Sequence, residues 1–223
     1  SVRIAALGMI APADPTNRVR AVAPLLSDGV RGVRIEAANV LADVPDSQLP
    51  EGRRVARRAA MQEYEHALAL EADWPSGQVN LGNLRLRQGR EADAEKVLRR
   101  GLAELPRDAD LHHALGLSLT RQGDRPAALR EFAEAARLAP DNARYAYVQA
   151  IAVHSAGQRE RALAVLQEAG KRHPNNLDIL AALLSISREV GDQRAALRYA
   201  KQLDEIVPGN ADLGRLIAEL EKQ

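Results

Sequence analysis

From Pro75 onward, apolar residues recur at three- and four-residue intervals, in stretches that come in pairs. The punctuation between stretches is periodic. Gly89, Gly123, Gly157 and Gly191 lie 34 residues apart, each just after one amphipathic stretch. Pro106, Pro140, Pro174 and Pro208 keep the same spacing after the second stretch of each pair, as do Ala94, Ala128, Ala162 and Ala196 within it. A glycine can adopt the left-handed conformation that ends a helix, whereas a proline ring forbids continuation. Each pair therefore predicts a helix, a tight turn at Gly, a second helix and a stop at Pro. The early Ala of the second helix sits where a larger side chain would push its partner away. A single such unit cannot bury its apolar face alone, so four units in tandem are expected to stack as an all-α solenoid.

The flanks read differently. Asp212 to Gln223 is amphipathic, with Leu213, Leu216, Ile217 and Leu220 on one face and Arg215, Glu219, Glu221 and Lys222 on the other. That pattern predicts a terminal capping helix. Arg53 to Ala72 predicts one long helix in which Ala60, Tyr64 and Ala67 keep the phase of a second helix, broken at Asp73-Trp74-Pro75. Trp74 is expected to staple onto the helix that follows. Ala42 to Gly52, with Pro45 and Pro50, predicts a joint.

The repeats resemble the tetratricopeptide repeat (TPR) family, whose 34-residue pattern runs W-x2-L-G-x2-Y, A-x3-F, P. Asn80-Leu81-Gly82, Ala94, Leu98 and Pro106 carry the resemblance, and Leu115-Gly116, Leu119, Ala128, Phe132 and Pro140 carry it further. The third unit keeps Val153, Ala162, Leu166 and Pro174 but has Gln149-Ala150; the fourth has Leu183-Leu184 and Ala200, its bulk moved to the first helix. The first fifty residues resemble HEAT-type repeats. One helix ends near Ser27 and another begins near Val30, Asp28 and Arg34 match the acid and base of such turns, and Val2-Arg3-Ile4 repeats Val33-Arg34-Ile35. The two resemblances imply truncated HEAT-like repeats over 1–44, a joint over 45–52 and a transition helix over 53–74. Four TPR units follow over 75–208 (75–108, 109–142, 143–176, 177–210), with a cap over 211–223. The implied fold is a right-handed α-solenoid, and the implied chain a fragment of a longer protein.

Composition narrows the function. With 31 Lys and Arg against 30 Asp and Glu, the net charge of +1 gives no electrostatic case for nucleic acid or an anionic membrane as partner. The longest uncharged stretch, Tyr145 to Gln158, is too short to span a bilayer, so no membrane insertion is expected. The absence of Cys excludes thiolate metal sites, covalent haem attachment and cysteine nucleophiles, and names no compartment. Apolar residues make up 46% but aromatic ones only 3%, as suits thin helical layers and not one deep core.

No nucleophile, phosphate-loop, dinucleotide or zinc-protease motif occurs. Of the five His (66, 112, 113, 154 and 173), the adjacent His112 and His113 point roughly 100° apart on a helix and cannot share one ion. Carboxylates alternate with Arg, as in Arg130-Glu131 and Arg159-Glu160, in the manner of solvated helix faces. No enzymatic role, cofactor or metal is expected. Arg53, Arg54, Arg57 and Arg58 form like-charge i,i+4 pairs; they read either as a solvated face beside Glu51 and Glu63 or as a site for an acidic group.

TPR geometry puts the first helices on the concave face, and so implies the groove residues. These are Val79, Asn80, Asn83, Leu86 and Arg87; His113, Ala114, Leu117, Thr120 and Arg121; Tyr147, Val148, Ile151, His154 and Ser155; and Ala181, Ala182, Ser185, Arg188 and Glu189. An apolar strip edged by Arg suits a peptide or protein segment with an apolar anchor and some acidic character. A chaperone-type carboxylate clamp is disfavoured because Val79 stands where Lys is wanted. A glycosyltransferase-type Asn ladder is absent, since Asn80 is followed by Ala114, Val148 and Ala182. The expected function is a non-catalytic protein-interaction scaffold. The alternatives are a groove filled intramolecularly or by self-association, and a C-terminal docking module of a larger enzyme or multihaem, cytochrome-like electron-transfer protein.

Overall fold

The computed structural model describes residues 2–71 and 74–222. Ala72 and Asp73, the end of the expected transition helix and the start of its break, lie outside the described residues, as do Ser1 and Gln223. Thirteen α-helices and no strand occur among the described residues. They fall into two compact units, residues 1–106 and 107–223, and the division runs inside the repeat array.

The first unit contains α1 (Val2–Ile10), α2 (Pro15–Val22), α3 (Arg31–Val40), α4 (Glu51–Leu70), α5 (Pro75–Arg87) and α6 (Glu91–Glu104). Its core joins Leu7, Val22, Leu26, Val33, Ala37, Val40, Leu41 and Ala60. The expected helix ending near Ser27 is split. Asp14 caps α2 by accepting from Asn17 N at 3.1 Å, and Pro24 opens a separate 3-10 turn over Ala23–Ser27. Asp28 and Arg34, the acid and base singled out at this turn, are both engaged. Arg34 Nη1 donates to the main-chain oxygen of Asp28 at 2.8 Å and its other nitrogens to Glu63 at 2.8–3.1 Å, while the carboxylate of Asp28 pairs with Arg3.

Three arginines meet at the end of α3, where the last carbonyls of a helix have no partner within it. Arg18 of α2 donates to Val40 O at 3.0 Å and grips Asp43 at 2.7 and 2.8 Å. Arg57 of α4 donates to Leu41 O at 3.2 Å and pairs with Asp46. Arg87 of α5 donates to Asn39 Oδ1 at 2.7 Å and Asn39 O at 2.5 Å. The negative end of the helix dipole favours this clustering of cations. The run at 53–58 is thus divided in use: Arg57 belongs to this joint, Arg53 and Arg54 are half-buried, and Arg58 is exposed. Trp74 does not staple. With Pro75 as the first helical residue, Trp74 itself becomes the N-cap of α5 and leaves its ring 68% exposed.

The second unit is a run of hairpins: α7 (Ala109–Gln122) with α8 (Arg125–Leu138), α9 (Ala143–Ser155) with α10 (Arg159–Arg172), α11 (Leu177–Glu189) with α12 (Gln193–Ile206), and a final α13 (Ala211–Leu220). Within this unit the first helices begin at 109, 143, 177 and 211, and the second at 125, 159 and 193, so each position keeps its angular phase from hairpin to hairpin. Gly123 closes α7 in the left-handed region at φ 84°, as do its counterparts Gly89, Gly157 and Gly191. Asp108, Asn142, Asn176 and Asn210 cap α7, α9, α11 and α13 with their side chains.

Paired helices meet where one of them lacks a side chain. A Cβ on Gly116 would stand 2.5 Å from Phe132 Cε1, and one on Gly82 would stand 2.6 Å from Leu98 Cδ2. In the last hairpin the large and small partners are exchanged, as Leu184 and Ala200, and both are buried in one core with Leu166, Ile179, Leu183 and Ala196. Gly116→Ala is therefore expected to destabilise the protein by about 1–3 kcal/mol through overpacking. Gly214→Ala, whose Cβ would enter open space, is expected to stabilise α13 by about 0.5–1 kcal/mol. Urea-unfolding midpoints of the two variants should move in opposite directions.

Candidate functional site

Because α7 and α9 share one phase, their equivalent faces line up. Leu117 and Thr120 of α7 and Tyr147, Val148, Ile151 and Ser155 of α9 come together around a cavity of about 230 Å³. The three- and four-residue spacings put each set on one side of its helix. The wall is completed by α8, which contributes Arg125, Leu129 and Phe132. The lining is apolar apart from two hydroxyls, one phenol and one guanidinium. Thr120 Oγ1 already donates to Gly116 O at 2.8 Å.

The remaining residues of the expected groove are dispersed. Ser185 and Arg188 line a second hollow of about 350 Å³ with Glu189, Gln193, Leu216 and Glu219, where the last hairpin meets α13. His154 Nε2 lies 2.7 Å from Glu189 Oε2, which also faces Arg159 Nε at 3.4 Å. The His154 hydrogen bond, aided by Arg159, holds the Glu189 carboxyl below the usual carboxylate range. Arg121 is exposed near the end of α7. A third hollow, of about 440 Å³, uses other faces of α8, α9 and α10; its floor is Ala133, Ala136, Ala146, Ala164 and Val165, and Arg137, Arg161 and Arg172 also line it.

His113 departs from the expected groove. It is only 8% exposed and lies in the interior, stacked on Tyr145 with ring centroids 4.7 Å apart and tilted against Phe132 at 5.8 Å. The hydroxyl of Tyr145 is bonded to Asp110, and burial together with that bond pushes the phenol up. In the first unit, Val79 and Asn83 are half-buried and Asn80 is exposed, while Arg87 is committed to Asn39 and faces Asp43 at 3.6 Å. Arg87 is spent on the joint at α3 because that helix end needs donors more than solvent needs a cation.

Arg125, Leu129, Phe132 and Ala152 line the cavity without having been expected there. Three of them belong to α8, a second helix, and the rule that only first helices face the groove hides them. Sequence spacing carries no signal for them, because which part of α8 opens on the cavity is set by its packing against α7 and α9. Among the described residues, no group of three or more His, Asp or Glu could hold a metal ion, and no helix is long and apolar enough to cross a membrane.

Residues 75–118 match the family described as tetratricopeptide repeat. No curated protein matches the chain. Among solved structures, the chain is similar to MamA, at 17% identity and a TM-score of 0.57 over 71% of this chain and 95% of that one. It is also similar to TTC0263, a thermophilic TPR protein of Thermus thermophilus, at 18% identity and a TM-score of 0.52 over 94% and 100% of the two chains. A third similarity is to YrrB, a TPR protein with an unusual peptide-binding site, at 18% identity and a TM-score of 0.55 over 96% and 100%. The HEAT-like resemblance of residues 1–44 lies outside the family match.

Burial, helped by the nearby Arg144, pulls the His113 imidazole below its ordinary value. The unfolded chain then binds the extra proton first, so stability is complete above about pH 6.5 and falls as the pH drops below it. Urea midpoints measured between pH 7 and pH 5 should fall more steeply for the wild type than for His113→Gln.

Proposed function

We propose, from the premise that residues 75–118 carry a tetratricopeptide repeat and that the chain has the fold of TPR proteins, that this protein is a non-catalytic interaction scaffold. Its working surface is the first-helix face of the 107–223 unit, which captures a peptide or protein segment with an apolar anchor and some acidic character. One observation carries this reading: six side chains from the phase-matched faces of α7 and α9 converge on an open apolar cavity. Stacked helical hairpins use their concave surfaces for binding in general. The similarity to YrrB, whose site is described as peptide-binding, is in keeping with it.

In the first unit the corresponding surface serves a different end. Arg87 is drawn into the joint at α3, so binding is assigned to Leu117, Tyr147 and Ile151, with Arg121, Ser185 and Arg188 further along the same unit. Val79, Asn80 and Asn83 belong to the first unit and stand outside this surface, and His113 supports the surface from beneath. His154 contributes through its pairing with Glu189.

The test is a crosslinking pull-down that compares the wild type with Leu117→Glu/Tyr147→Glu/Ile151→Glu, the variant being verified as folded by circular dichroism. The wild type should capture a partner that the variant loses. If both capture the same proteins, or neither captures any, the surface is not the site of recognition.

A further inference from the structure

We infer that the cavity between α7, α8 and α9 is a single-residue anchor pocket for an internal peptide segment, and that Arg125 at its rim selects an acidic residue beside the anchor. This deepens the function proposed above and rests on it. The volume sets the first half: about 230 Å³ falls below the roughly 300–1,000 Å³ of sites for drug-sized ligands, and suits one bulky aliphatic or aromatic side chain. Leu117, Leu129, Phe132, Tyr147, Val148 and Ile151 offer that side chain apolar contact.

The repeat itself supplies the second half. Among the described residues, Arg125 is the only charged one lining the cavity. It is exposed and opens α8, at the positive end of that helix, where a cation is disfavoured. Thirty-four residues later the same position is Arg159, which has an acidic partner, Glu189, at 3.4 Å. The position equivalent to Glu189 on α9 is residue 155, and there the sequence has Ser. Arg159 is thus completed by a carboxylate from the hairpin that follows it, whereas for Arg125 the following hairpin puts a small hydroxyl, Ser155, at the same place on the cavity wall. An acidic side chain of a bound peptide would stand beside Arg125 as Glu189 stands beside Arg159. Asp124 does not serve, since its carboxylate caps α8 by accepting from Ala127 N at 3.1 Å. A chain-terminal carboxylate fits less well, because it needs several converging donors and the Thr120 hydroxyl is already given to Gly116 O.

The probe is a random linear dodecapeptide library displayed without a free C-terminus, selected on the intact chain and followed by fluorescence anisotropy with amidated copies of the winners. The wild type should enrich sequences with one bulky apolar residue next to Asp or Glu, and replacing that apolar residue by Ala should weaken binding about 10- to 100-fold. Ser155→Glu, which supplies the missing acid internally, should weaken binding by about 3- to 10-fold, more at low salt than at high salt. Arg125→Glu should shift the selected preference from acidic to basic neighbours. Ala152→Leu, which fills the pocket, should exclude the largest anchors while circular dichroism stays unchanged. Winners that show no acidic preference, or that bind Arg125→Glu and Ser155→Glu as they bind the wild type, overturn the inference. If such winners are still lost by Leu117→Glu/Tyr147→Glu/Ile151→Glu, the groove function stands without it. If no sequence is enriched, or the triple variant binds them all, both fall.

Discussion

The contact on which the second unit depends is the one between Gly116 and the ring of Phe132. There is no room for a Cβ between them, so the ring of Phe132 packs directly on the α7 backbone at Gly116. The same contact is made by Gly82 with Leu98, and in the last hairpin the large and small residues change sides as Leu184 and Ala200. What is kept is the sum of the two side chains and not the identity of either, as close-packed interiors require. With their starts spaced by 34 residues, α7, α9 and α11 keep one phase. The face that α7 and α9 present together is the direct result.

The first unit is organised by another need. The end of α3 lacks intrahelical partners for its last carbonyls, and Arg18, Arg57 and Arg87 provide them from three separate helices. Asp43 answers Arg18 and Arg87 and Asp46 answers Arg57, which keeps these guanidinium groups from being left unpaired. Arg87 thereby does structural work at the repeat position that Arg121, exposed near the end of α7, occupies 34 residues later.

Much of this was readable in the sequence because it rests on strong, periodic constraints. The glycines at 89, 123, 157 and 191 adopt positive φ as a helix terminus demands, and the helices begin at the 34-residue steps that the prolines announce. The capping series Asp108, Asn142, Asn176 and Asn210 obeys the same period and would have sharpened the helix starts. What was not legible depends on contacts between distant residues. Arg87 looks like any basic groove residue until Asn39 is brought to it. His113 looks exposed by phase, and is covered because Tyr145 stacks on it. Trp74 was expected one position before the cap, and the proline beside it made it the cap itself. Arg125 and Leu129 escaped because α8 is a second helix, and only its neighbours reveal that part of it opens on the cavity.

The central claim is that a partner segment docks in the cavity between α7, α8 and α9. Methyl NMR of the Leu, Val and Ile side chains, recorded as a display-selected peptide is added, addresses it most directly. The account predicts that Leu117, Leu129, Val148 and Ile151 shift together and saturate at one peptide concentration, while Val165, in the alanine-floored hollow, is unchanged. Shifts at Val165 with none at those four residues would contradict it.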